Sequence, residues 1–338
     1  MMNEVRLLSA IVCSGLLACS TFGEDGSRSD AGAGDAGTSD AAVDAALAGP
    51  EQVIAMGEKS PHTIAIDGAA VYWQNDGELG DGPGRVAGEI VRFERATAAR
   101  RTLVAGIGDA TSLVTDATTA FWLESEAGRN GTVGRVEKDG RGRQALLRYL
   151  YSYRAFAVDV THLFYLDAFG ALFRVDKDGA SGVALEGKAN DARALFVDEA
   201  GVYVGGATGI TRADKNVPNG AVLFAASAGA VTAITGDDAN VYWVSEAGGL
   251  VASASRASPG APPKAIASGQ KSPVAIAVAG GTVYWTNRGD GTVMQAPAGG
   301  APSVLASGQK DPAGVAADVN GVFWTNRGDG TVRAIKRR

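Results

Sequence analysis

The chain of 338 residues carries 47 glycines against 11 prolines, with only 2 histidines and 2 cysteines, a composition of many short strands and turns rather than long helices. Its formal charge is −6, yet residues 20–50 hold six acids (Glu24, Asp25, Asp30, Asp35, Asp40 and Asp44) against Arg28 alone, so −5 of that charge lies there and −1 in residues 51–338. A nearly neutral remainder has no net basic field for nucleic acid.

Arg6 precedes an apolar run over residues 7–18, too short for a membrane span and suited to a signal-peptide core. The run ends Leu16-Leu17-Ala18-Cys19, which resembles the lipobox of bacterial lipoproteins. The resemblance implies cleavage after residue 18, lipidation of Cys19 and a place on the bacterial cell envelope, at the outer membrane or cell surface. With Cys13 in the leader and Cys19 acylated, no thiol remains to be oxidised outside the cytoplasm. Residues 19–50 are Ser, Asp, Ala and Gly with few groups to bury, so ordering entropy is not repaid and the segment reads as a disordered tether. As a flexible coil it spans roughly 30 Å.

From residue 51 onward the chain repeats. Aromatic pairs stand at Tyr72-Trp73, Phe121-Trp122, Phe164-Tyr165, Tyr203-Val204, Tyr242-Trp243, Tyr284-Trp285 and Phe323-Trp324, spaced 39 to 49 residues apart. That period is the period of a four-stranded propeller blade. Within the sixth unit the sequence predicts an inner strand at 274–278, a second at 283–287, a third at 292–295 and an outer one at 303–306. The turn Asn287-Arg288-Gly289-Asp290-Gly291 supplies residues that tolerate positive φ. The seventh unit ends on a third strand at 331–335, and residues 52–57 match the outer strands of the earlier units. An N-terminal strand completing the last blade closes the ring and removes two exposed edges. The expectation for residues 51–338 is therefore an all-β, seven-bladed β-propeller, with six blades as the competing count if the weak unit at Tyr203 is an insertion.

The clearest copies, Tyr284-Trp285-Thr286-Asn287 and Phe323-Trp324-Thr325-Asn326, resemble the YWTD and NHL-type propeller families, and the folded region looks like the propeller lipoproteins of bacteria. The resemblance implies the fold. It implies little about activity, because the same repeat grammar serves binding scaffolds and enzymes. Receptor-type YWTD propellers are similar in the motif yet typically six-bladed, and their final Asp is Asn in the clearest copies here, so their ligand preferences are not carried over.

In a propeller the loops joining strands two and three, and those joining each outer strand to the next inner one, gather on one face. Lys59, Lys271 and Lys310 occupy equivalent outer-to-inner loops, and Arg288 and Arg327 lie in neighbouring turns. This cationic arc suits an anionic ligand, although Asp290 and Asp329 stand within reach as simple partners. Across the ring, Tyr151, Tyr153 and Arg154 enter the third inner strand. Clustered tyrosines there suit a sugar-like or aromatic ligand, while their alternation also fits one face of an outer strand. The Gly-rich insertion over residues 76–88 could fold over this face. His62 falls near the channel mouth and His162 on the opposite face, so the two cannot converge on a metal. Neither a Gly-x-Ser-x-Gly elbow nor a phosphate-loop or dinucleotide fingerprint is found.

The reading is a monomeric, non-catalytic binding or scaffolding module, with no metal or cofactor, holding a protein or a small anionic or sugar-like ligand. A lyase or lactonase using His62 and one carboxylate is the alternative, and a purely structural envelope protein the third possibility.

Overall fold

The computed structural model describes residues 50–77, 87–125, 131–150, 153–179, 181–187, 191–297 and 299–336. The signal segment, Cys19 and all of the tether but Pro50 lie outside the described residues, as do Tyr151 and most of the 76–88 insertion. Among the described residues, seven four-stranded antiparallel sheets form the blades of a closed ring. Blade 1 runs from its inner strand Pro61–Ile66 to its outer strand Arg100–Ile107. Blade 4, around Tyr203, is complete, with strands Ala194–Val197, Val202–Gly205, Gly209–Ala213 and Val222–Ala226, which overturns the six-blade count. Blade 7 takes Gln52–Ala55 as its outer strand, antiparallel to Thr331–Lys336 with Gln52 opposite Ala334.

The inner strands are small and apolar because neighbouring blades cover both faces. In blade 6 the inner strand is Pro273–Ala279, two residues longer than the 274–278 expectation, since its first residue still pairs with Asn287. The five tryptophans of the aromatic pairs are all buried, each contributing a large apolar surface between blades.

Two sets of polar contacts join blade to blade. On the loop face, the Gln270 carbonyl oxygen accepts from both Trp285 Nε1 and Asn287 Nδ2 at 2.9 Å, and Gln309 does the same for Trp324 and Asn326 at 2.8 Å. Glu58 takes this place for Trp73 at 2.9 Å and Asn75 at 2.5 Å. The backbone N–H of each clamp residue donates to the preceding blade, Gln270 to Gly249, Gln309 to Gly291 and Glu58 to Gly330. A single residue thus grips two blades. Gly291 (φ +66°) and Gly330 (φ +65°) lie against the clamp carbonyls of Gln309 and Glu58, leaving no room for a Cβ. The Asn and second Gly of the repeat, read from sequence as turn formers, are thereby also parts of a joint between blades. The Thr is another part, because Thr286 Oγ1 donates to the Ala313 carbonyl and Thr325 Oγ1 to that of His62.

On the opposite face, Asp67, Asp116, Asp159, Asp198 and Asp318 follow their inner strands and accept backbone N–H groups of the next turn. Each also meets a cation from the following blade. Lys138 reaches Asp67 at 2.5 Å, Lys177 reaches Asp116 at 2.6 Å and Lys215 reaches Asp159 at 2.8 Å, while Arg256 pairs with Asp198 and Arg95 with Asp318. Burial works to raise the pKa of Asp67, Asp116 and Asp159, but the lysines and backbone donors outweigh it and hold all three below the ordinary value. Blade 6 departs from the pattern, having Ala279 at the Asp position.

Candidate functional site: the channel mouth

All seven inner strands open onto one axial cavity of about 240 Å³ on the loop face. The register fixes which residues form its rim. In every blade the rim residue stands two positions before the inner-strand residue that pairs with the second aromatic position, as His62 does before Ile64, opposite Trp73. Around the ring this one position reads His62, Thr111, Arg154, Arg193, Thr232, Val274 and Ala313, all lining the cavity. Blades 6 and 7 have only Val274 and Ala313 there, but Arg288 and Arg327 of their second turns reach into the same cavity. The next inner-strand position, Thr63 through Gly314, lines the wall behind the rim.

The four arginines rest on carboxylates behind them. Arg154 Nη1 donates to Asp191 Oδ1 at 2.6 Å, and Arg193 Nε donates to both oxygens of the same carboxylate at 3.0 Å. Hydrogen bonds from Arg193 and then Arg154 hold the Asp191 pKa below its usual value. Arg288 pairs with Glu246. Arg327 reaches Asp76 Oδ2 at 3.4 Å and Ser60 Oγ at 3.3 Å. The same Asp76 oxygen stands 3.6 Å from His62 Nδ1. Glu246, Arg288, Arg327 and Asp76 are one repeat position in consecutive blades 5, 6, 7 and 1, immediately after the Asn or its equivalent. The signs run minus, plus, plus, minus, so each arginine meets the carboxylate of the outer neighbouring blade. Among the described residues of the mouth, four arginines stand over the three carboxylates Asp76, Asp191 and Glu246, one cation more than anions. Each guanidinium offers about five N–H donors, so one held by a carboxylate still has donors to present.

The residues singled out from sequence separate into those brought together and those that are not. His62, Arg154, Arg288 and Arg327 converge on the cavity. Lys59, Lys271 and Lys310 are exposed outside it. Their carbonyls accept from Gly77, Gly289 and Gly328 of the adjoining turns. Tyr153 does not line the mouth: neighbouring strand residues point to opposite sides, so Arg154 faces the cavity while the partly buried Tyr153 packs edge-on against Tyr165 at 5.2 Å, beside the core. Burial there raises its hydroxyl pKa. The arginines are not paired with Asp290 and Asp329 of their own turns. Those carboxylates bond Thr292 Oγ1 and Thr331 Oγ1 at 2.7 Å instead. Arg193 was missed because blade 4 lacks the aromatic-Trp signal, and Arg193 becomes visible only when the inner strands are aligned two residues ahead of their paired aromatic position.

No family model matches the chain, and no curated protein sequence matches it. Among solved structures it is similar to the virginiamycin B lyase of Staphylococcus aureus, at a TM-score of 0.64 and 13% identity over 85% of this chain and 98% of that one. A catalytically inactive histidine-to-alanine form of that lyase with Quinupristin gives a TM-score of 0.62 at 13% identity, with the same coverage of both chains. The computationally designed Ika8 protein is also similar, with a TM-score of 0.57 and 14% identity over 84% of this chain and 98% of that one. At such identities the likeness is one of fold: the chain is a β-propeller.

Proposed function

We propose that the chain is a lipid-anchored propeller of the bacterial cell envelope that binds a small anionic ligand at its channel mouth without transforming it. Cys19 and the tether of residues 19–50 provide the anchor in this reading, and the kinship with YWTD and NHL-type propellers rests on the repeat motif. The observation that carries the binding role is the convergence of Arg154, Arg193, Arg288 and Arg327 on one cavity. Guanidinium groups held by carboxylates are oriented in advance, which suits planar anions and lowers the entropy lost on binding.

A second reading is favoured by the 3.6 Å approach of His62 to Asp76 at the same mouth, an arrangement that could serve a lyase or lactonase as general base and orienting acid. One set of measurements separates them. Unfolding of the full chain is followed with a panel of small carboxylates and phosphates. The wild type gains about 2.7 kcal/mol at a ligand concentration a hundredfold above Kd, and the Arg154→Ala/Arg193→Ala double variant loses most of that gain. Turnover of a lactone or cyclic ester that disappears in His62→Ala establishes the enzyme reading instead, and the absence of both stabilisation and turnover sinks both.

A further inference from the structure

Resting on the anion-binding reading, we infer that the ligand of the mouth carries two separated anionic groups, carboxylates or phosphates, on a spacer more polar along one edge than the other. The rim cations are not spread evenly. Arg154 and Arg193 belong to the adjacent blades 3 and 4, and Arg288 and Arg327 to the adjacent blades 6 and 7. Blade 5 separates the two arginine pairs on one side of the ring and blades 1 and 2 separate them on the other. They face one another across a single cavity.

Each pair is a unit. Arg154 and Arg193 share the one Asp191 carboxylate, which fixes both guanidinium groups and leaves that arc with one positive charge in excess. Arg288 and Arg327 are each matched by a separate carboxylate, Glu246 and Asp76, so their arc offers oriented donors with little excess charge. A single anion at either arc therefore gains a modest attraction. A ligand with two anions bridges both arcs after paying its association entropy once.

The walls between the arcs differ. On the blade 5 and 6 side they are Thr232, Ala233, Ile234, Val274 and Ala275, and on the blade 1 and 2 side His62, Thr63, Thr111 and Ser112. The second wall presents four side chains able to bond hydroxyl or amide groups, the first only Thr232, whose hydroxyl already donates to the Val244 carbonyl at 3.3 Å. The spacer this suits is one more polar along one edge than the other, such as a hydroxylated or amide-bearing chain.

The test is calorimetric titration of the full chain with succinate, adipate and suberate against acetate, butyrate and hexanoate, with alkane bisphosphonates and monophosphonates in parallel. The expected result is one spacer length at which the dianion binds at least about tenfold more tightly than its monoanion. Whether carboxylate or phosphonate shows the larger gain identifies the headgroup. Arg193→Ala and Arg288→Ala should each bring that dianion down to the level of its monoanion, with circular dichroism and thermal midpoint verifying the fold. Monoanions bound as tightly as dianions, with loss in only one of the two variants, overturn the two-headed ligand and leave anion binding standing. No heat with any anion overturns both.

Discussion

The sector of blades 6, 7 and 1 and the sector of blades 1 to 5 solve the same problem, holding one blade against the next, with different chemistry on different faces. The first uses clamp residues on the loop face, two of them the neutral amides Gln270 and Gln309, that accept from a Trp and an Asn. The second uses Asp–Lys and Asp–Arg pairs on the opposite face. The sectors meet at the junction of blades 7 and 1, where Glu58 provides a clamp and Arg95–Asp318 a pair. Blade 6, with Ala279 at the Asp position, is gripped on both sides by amide clamps, Gln270 and Gln309. An amide joint is indifferent to pH and salt, whereas an ion-pair joint responds to both.

The largest predicted effect comes from breaking an amide clamp. Gln309→Ala removes the acceptor shared by the buried donors Trp324 Nε1 and Asn326 Nδ2, of which only the second keeps another partner, Thr331 Oγ1, a loss of about 2–4 kcal/mol in urea unfolding. Gln309→Glu restores the acceptor but places a carboxylate where Nε2 now donates to Glu51 at 3.0 Å; it should destabilise at neutral pH and recover on acidification.

The next effect sharpens the contrast at the single clamp that carries charge. Burial pushes the Glu58 pKa up, but the bonds from Arg100, Asn75 and Trp73 outweigh it, and the result lies below the reference value of 4.5. A depressed carboxylate stabilises above its unfolded pKa and loses that contribution as pH falls through the folded value. Glu58→Gln should therefore cost about 1 kcal/mol at neutral pH and nothing once the solution is more acidic than the folded pKa, as read from urea midpoints across the acid range.

The smallest effect concerns one ion pair. Lys177→Met should cost no more than about 1 kcal/mol at low salt, and less in about 1 M salt, where screening has already weakened the pair. The Gln309→Ala loss should be unchanged by salt. If both variants respond alike to salt, the two sectors are not held by different forces.

Much of this was legible in the sequence for a simple reason. The repeat of Tyr284-Trp285-Thr286-Asn287 records a backbone path, and the match of residues 52–57 to outer strands records a pairing. Blade count and ring closure follow from such local records. The site followed only in part, because function sits where repeats diverge, as at the position occupied by Glu246, Arg288, Arg327 and Asp76. Counting charges there identified Arg288 and Arg327 but not their partners, which come from neighbouring blades and so lie more than forty residues or the whole ring away in sequence. Tyr153 and Arg154 differ by one residue and a strand reversal of side, a distinction that requires the register of Tyr153 against Asp167.

The strand Gln52–Ala55 has a consequence for the order of assembly. It leaves the ribosome before any blade, yet its hydrogen-bonding partner, Thr331–Lys336, is made after all of them. Pairings this far apart in sequence form slowly, because the loop they close is long. Throughout synthesis the last blade has no outer strand, and the waiting segment must stay unpaired. Val53, exposed in the finished ring, is preceded by the polar Glu51 and Gln52, and the turn at Gly57 ends the apolar run of residues 53–56, which limits the sticky stretch while it waits.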